Sequence, residues 1–257
     1  MTIYEHFRPE EREIIDTVFN WCHYVETYYS PKLTDFLNPR QQFITRSIIG
    51  SDRAYKVAFF GGLDSSENKR ALIYPDYFTP ELDNFQISLF DIAYPEKFAK
   101  LTHRQILGSL MGLGLKREKF GDILINHDYA QFFAAKEIAE YIRLHFHSVG
   151  KVSVSIKELP LTMAKPFCEN WMEMNVTVPS LRIDAVVAQS GKQSRQRVQK
   201  WIEQGLVKVN WALIENPAFS VREGDVISVR GLGRFKVMSV EGKTKRDKWR
   251  LTVGKLN

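Results

Sequence analysis

Cysteine is scarce in this sequence. Only Cys22 and Cys168 occur in 257 residues, far apart and in no CxxC or Cys/His spacing, so neither a disulfide framework nor a zinc site is suggested. Both read as small buried hydrophobes. No apolar run approaches the ~18–20 residues that span a bilayer, and the start MTIYEHFRPEEREII lacks the basic-then-apolar order of a signal peptide, so the chain reads as cytoplasmic. Internal repeats and low-complexity tracts are also missing. The short catalytic signatures are missing too. FFGGLDSS has two adjacent glycines but not GxGxxG, and His145 and His147 are too close in sequence to pair as the i, i+4 ligands of a zinc helix. His127-Asp128 reads as a turn after a strand, and Asp91, Asp122 and Asp128 stand in no pseudouridine-synthase setting. No catalytic residue, metal or cofactor is therefore assigned, and the chain is read as a non-enzyme.

What is present is an ordinary core-forming composition and an uneven charge. Hydrophobic residues make up 44%, enough for two or three small domains with real cores. The formal net charge of +6 is not spread evenly. Residues 181–257 hold 16 Lys+Arg against 7 Asp+Glu, whereas the first 180 hold 20 against 23. A small module with that surplus and no lipid-facing helix suits a polyanion, because each phosphate contact releases condensed counterions.

Periodicity divides the chain into three regions, and the fold class expected is α+β. Residues 1–80 read as a mainly helical domain. EREIIDTVFNWCHYVETYY carries a helical stripe stopped by Ser30-Pro31, and Asn38 and Pro39 cap and start a second helix. Between that helix and Pro80 lie an apolar stretch, YKVAFFGG, and a basic one, NKRALIYPDYF. Residues 81–178 read as strand and helix in alternation: FQISLFDIAY, LTHRQILGSLMGLG, GDILIN, the long YAQFFAAKEIAEYIRLHFHSVG taken as a helix, and KVSVSIKEL. This order predicts an α+β sandwich of RRM-like or ferredoxin-like character, although the RRM's aromatic pattern for base stacking is not evident. PFCENWMEMNVTVPS reads as a bridge, with a boundary at Pro179-Ser180. Residues 179–257 follow as two helices, LRIDAVVAQ and SRQRVQKWIEQ, and short strands from LVKVN, AFSV, DVISV, GRFKVMSV and KWRLTV.

The most specific stretch is SGKQSRQRVQKWIEQGLVKVNW. Ser194 suits an N-cap and Gly205 a left-handed C-terminal cap. Turning Val198 and Ile202 inward leaves Lys200 outermost and sets Arg195 and Arg197 along the flanks. Trp201 belongs to the apolar row and reads as core. Lys208 and Asn210 alternate with Val207 and Val209 on the next strand and so face away from the core. Arg182 opens the preceding helix, and all these residues could line one surface. Arg182 and Arg195 both read as outward, which predicts that their double alanine variant does not unfold.

The order R-I-D-x-x-V-x-x-S, then S-R-x-x-V-x-x-x-I-x-x-G-x-V-x-V-N, then E-G-D-x-I-S-V resembles the S4 RNA-binding domain from Leu181 to about Arg230. By that resemblance Arg182, Ser194, Arg195, Lys200, Lys208 and Asn210 fall where S4 domains face RNA, and Arg197, Arg230 and Arg234 are added as neighbouring cations. The extension VKVNWALIENPAFSVREGDVISVRGLGRFKV, with GLGLKREKFGDILIN, FLNPRQQFI and the GG-x-x-x-x-E-x-KR stretch from Gly61 to Arg70, is similar to the YlmH-type S4 proteins, which are encoded among cell-division genes. The resemblance implies a non-enzymatic factor that binds rRNA and peptidyl-tRNA on the large ribosomal subunit during rescue of stalled translation, and the double alanine variant is then expected to lose large-subunit binding; the chain is read as a monomer. Two other classes compete with it. One is a cell-division interaction protein, and the other is an RNA-modifying enzyme targeted by an S4 domain.

Overall fold

A computed structural model of the chain describes residue 4 and residues 7–50, 54–126, 128–166 and 171–256; His127 and Cys168 lie outside them. The chain divides into two compact units, Met1–Phe167 and Cys168–Asn257. No helix among the described residues is long and apolar enough to cross a membrane.

In the first unit the apolar stripe forms α1 (Arg12–Tyr28), which buries Ile15, Val18, Cys22 and Val25. Its end is fixed by Tyr29 in a left-handed conformation, with Pro31 just beyond. After β1 (Lys32–Leu37) comes α2 (Pro39–Ile49). Asn38 Oδ1 accepts from the Gln41 amide at 3.0 Å, and the Asn38 amide donates back to Gln41 Oε1 at 2.9 Å, a reciprocal cap. The next two strands, β2 (Tyr55–Phe60) and β3 (Lys69–Pro75), add a sheet to the helices expected in this region. With β1 they form an antiparallel sheet in the order β1-β3-β2. Both faces of this sheet are covered, fully at β3 and in part at β2, where Lys56 stays exposed. Tyr55 and Ile73 pack with α1 and α2, while Phe36 and Leu72 pack on the other side. A strand covered on both faces shows a continuous apolar run and no alternation, which is why these strands are hard to read from sequence.

The remainder of the first unit is β4 (Ile87–Ala93), α3 (His103–Met111), β5 (Phe120–Asn126), β6 (Tyr129–Ala135), α4 (Ala139–His145), the short pair β7 (Ser148–Val149) and β8 (Val152–Ser153), and β9 (Ser155–Leu159). The antiparallel order β5-β6-β4-β9, with α3 and α4 as the crossovers, is the RRM-like arrangement. The long helix expected from Tyr129 to Gly150 is corrected. Its first third is β6, whose residues Ala130 to Ala135 are all buried, so tertiary burial overrides the helical propensity of the alanines.

Polar staples join the two sheets. The buried carboxylate of Asp122 accepts from the amides of Glu67 (2.6 Å) and Asn68 (3.0 Å) and from Asn68 Nδ2 (2.6 Å). Burial pushes the Asp122 carboxyl up, and these three bonds oppose the shift. Ser66 Oγ donates to the Gly61 carbonyl at 3.1 Å. The Gly61 to Arg70 stretch is therefore scaffolding, closed by its own Ser66 and Asn68. Arg70 is buried and donates to the carbonyls of Thr34 (2.7 Å) and Gln86 (2.8 Å) and to Glu137 (3.1 Å).

The second unit opens earlier than the boundary at Pro179-Ser180. The stretch read as a bridge contains β10 (Trp171–Val178), which pairs along its whole length with β15 (Trp249–Leu256). Between them lie α5 (Ile183–Ser190), α6 (Arg195–Glu203), β11 (Val207–Val209), β12 (Ala212–Leu213), β13 (Val226–Val229) and β14 (Gly233–Lys243). The sheet order is β10-β15-β14-β13-β11-β12. AFSV makes no strand and contributes one bridge, Arg182 to Ser220. Val186, Val198, Ile202, Val207, Ile227, Phe235 and Val253 are fully buried and form the heart of the core.

Candidate nucleic-acid interface

The surface is organised around one acidic residue in the first turn of α5. Asp184 is fully buried and accepts five hydrogen bonds. Arg182 donates from Nε (3.2 Å) and Nη2 (3.0 Å), Arg195 from Nε (3.0 Å) and Nη2 (3.1 Å), and Gln199 from Nε2 (2.8 Å). Arg195 and Gln199 are one turn apart on α6, so a single carboxylate fastens the two helices together. Burial alone would raise the Asp184 pKa. The bonds from Arg182, Arg195 and Gln199, with the charge of Arg195, outweigh that and hold the carboxyl at about 2.

The arginines remain 39% and 45% exposed while their partner is 0% exposed. Each uses Nε and Nη2 inward, which leaves Nη1 free to donate to an outside oxygen. The forks are thus held in place before any ligand arrives. The double alanine variant would therefore leave Asp184 in the interior with Gln199 as its remaining side-chain donor, a cost to stability that the outward reading of the two arginines does not include.

Ser194 caps α6 as expected, its Oγ accepting from the Arg197 amide at 3.3 Å, and the hydroxyl can still donate outward. Arg197 is exposed, bonded to Gln193 Oε1 at 3.1 Å and poised 5.0 Å from the Trp201 ring centre. Trp201 is half-buried beneath it and packs on the core only in part. Lys200 is exposed farther along the helix. α6 then stops at Gly205. With φ of +68° this residue lets its own amide reach the Ile202 carbonyl (3.0 Å) and that of Leu206 reach Trp201 (2.9 Å).

Past that cap a second basic cluster forms on the sheet. Lys208, Ser228 and Arg234 stand directly opposite one another on β11, β13 and β14, a transverse row on the outward face. With Arg230 they border a groove of about 470 Å³. Arg234 lies 5.6 Å from the Trp211 ring. The expected residues thus gather in two places, Arg182, Ser194 and Arg195 at the start of α6 and Lys208, Arg230 and Arg234 beyond its end, separated by a helix about 14 Å long.

Asn210 departs from its expected role. Asn210 and Trp211 both have positive φ (49° and 64°) and make the two-residue turn between β11 and β12. The Asn210 amide is engaged within the fold, donating to Asp225 (2.8 Å) and accepting from the Val226 amide (2.9 Å).

Asp184 and Gln199 were not identified from sequence. The spacing R-I-D places Arg182 and Asp184 two apart, which is no helical contact, and their third partner lies on the next helix. The exposed cations of the β14–β15 hairpin, Lys245, Arg246 and Lys248, were also passed over, although the run KTKRDKWR announces them. A larger cavity of about 660 Å³ lies in the first unit, where Lys119 is already bridged to Asp35 (2.6 Å) and Glu137 (2.9 Å). Arg70 on its wall also pairs with Glu137, so neither cation is left to meet an anion.

A family profile described as "Putative RNA-binding domain in YlmH" matches residues 80–163, and the S4 domain profile matches residues 181–227. The chain is 43% identical over 250 residues, 97% of each chain, to "Ribosome-associated protein quality control protein P2" of Bacillus subtilis (strain 168). It is also similar to a solved structure, "Cell division protein ylmH from Streptococcus pneumoniae", at 38% identity and a TM-score of 0.54, covering 63% of this chain and 98% of that one.

Proposed function

The chain belongs to the YlmH family of S4-domain RNA-binding proteins, and from that premise we propose that it is a non-catalytic, cytoplasmic factor acting as a monomer on the large ribosomal subunit. It grips rRNA and peptidyl-tRNA there and stabilises the tRNA during quality control of stalled translation. The observation that carries this reading is the pair of half-exposed arginines fixed on the buried Asp184 carboxylate. Pre-set forks beside a helix start suit phosphate oxygens, and such contacts position a protein on structured RNA without reading base sequence. The Lys208 row supplies a second hold, and two separated holds can engage two backbones at once.

The test uses cations that carry no internal structure. Lys208→Ala with Arg230→Ala changes two exposed side chains, so melting should shift by no more than about 0.5 kcal/mol in stability terms. Co-sedimentation with large subunits should weaken, and the slope of log affinity against log salt should flatten by about 1 to 2. An unchanged salt slope would remove the groove from the interface. Wild-type protein that fails to co-sediment at all would end the ribosomal reading.

A further inference from the structure

RRM-like modules take RNA bases on an open sheet face. In this chain that route is closed. Leu89, Leu124 and Phe133 of the four-stranded sheet pack with Phe36 and Leu72 of the three-stranded one. Gly62 lies so near that a Cβ on it would come within 2.3 Å of the Phe133 ring. Phe90, Ile92 and Phe132 on the opposite face pack with Ile106 of α3 and Ile142 of α4. A base can reach neither side.

The connection from β4 to α3 offers a different contact. Phe98 is 90% exposed, the highest value for a large hydrophobic among the described residues. It is held on an ordered turn, in which the amides of Phe98 and Ala99 both donate to the Pro95 carbonyl at 2.9 and 3.1 Å. Both stems of the turn are anchored, since Leu101 is buried in the core and Tyr94 packs against it. The ring is therefore presented to solvent by structure that holds it there.

The surroundings favour an anion. Lys97, Lys100 and Arg104 are all exposed, and none is in an ion pair among the described residues. From Tyr94 to Lys119 the chain holds 6 Lys+Arg against 2 Asp+Glu, inside a region that is otherwise net acidic. A protein-docking anchor would want a rim of apolar neighbours to exclude water. Phe98 instead has Glu96, Lys97 and Lys100 beside it, all exposed. An aromatic ring flanked by cations matches the chemistry of single-stranded RNA, whose bases offer π-faces and whose phosphates alternate with them.

We propose that Phe98 stacks on an unpaired RNA base while Lys97, Lys100 and Arg104 hold the adjoining phosphates. This rests on the RNA-binding reading above and adds a second, single-strand contact to it. The experiment compares the full-length protein with Phe98→Ala and Phe98→Trp by fluorescence anisotropy, using a labelled oligouridylate of ~12 nucleotides and a paired RNA duplex of the same length. Phe98→Ala should weaken oligouridylate binding about tenfold, leave duplex binding and the melting temperature unchanged, and be reversed by Phe98→Trp. Equal affinity of Phe98→Ala and wild type for the oligouridylate overturns the proposal, as does an equal loss on both probes. Wild type that binds the duplex but not the single strand refutes the Phe98 contact and leaves the RNA reading standing. Binding to neither probe refutes both. If oligouridylate binding is kept while attachment to ribosomal particles falls, Phe98 docks on protein and the proposal is wrong.

Discussion

Arg70 and Arg195 are both held by carboxylates, and they stand in opposite situations. Arg70 is 4% exposed and its partner Glu137 is 43% exposed, whereas Arg195 is 45% exposed and its partner Asp184 is 0% exposed. Where the cation is inside, its donors are engaged by the chain's own carbonyls and it ties two sheets together. Where the carboxylate is inside, the cation is left facing outward, oriented and still able to donate. Which member of an ion pair is buried decides whether the pair is scaffold or contact surface.

The largest test of this contrast removes the outward cations. Arg182→Ala with Arg195→Ala leaves a buried carboxylate with Gln199 alone, and breaking a buried pair in this way costs about 3–5 kcal/mol. Denaturant unfolding followed by tryptophan fluorescence should detect it, because Trp171, Trp201, Trp211 and Trp249 all lie in the second unit. Adding Asp184→Leu should restore part of the stability but none of the RNA binding. If the double variant is as stable as wild type, Asp184 is not the anchor described.

Arg70→Ala comes next. It leaves the carbonyls of Thr34 and Gln86 without their donor and should destabilise the first unit by about 3 kcal/mol. RNA binding through the second unit should be unaffected at temperatures where the protein stays folded. A loss of binding in step with the Arg182/Arg195 variant would erase the distinction between the two arginines.

The smallest of the three effects is one of pH. The Asp184 carboxyl sits at about 2, below its ordinary value of 3.8, so its contribution is complete above the ordinary value and disappears as pH falls toward 2. About 2 kcal/mol of stability in the second unit should be lost on acidification through that window, and Asp184→Asn should abolish this dependence. A loss centred near pH 6 would point to another group.

Local chemistry was legible in the sequence wherever the deciding partners are close in the chain. Asn38 with Gln41, Ser194 with Arg197, and Gly205 after α6 all act within four residues. Lys208 was legible because one face of β11 is wet and the other dry. What could not be read depends on distant packing. β2, β3 and β6 are covered on both faces and lack alternation, and β10 has its partner at the far end of the unit. Asp184 carries no signal of its role in the sequence, because nothing in R-I-D indicates that α6 will close over it. Asn210 resembled a strand residue because the turn it makes lacks the glycine that usually marks one.

The pairing of β10 with β15 also bears on the order in which the chain is synthesised. Trp171 meets Leu256, 85 residues later, so the sheet of the second unit cannot close until β15 has emerged from the ribosome that makes it. Until then β10 and β14 each present an unpaired edge, and Arg182 with the cations of α6 has been made before the strand that closes the sheet. A nascent copy therefore passes through a state in which its cations are exposed before its sheet is complete, and a truncation before Trp249 would hold it in that state.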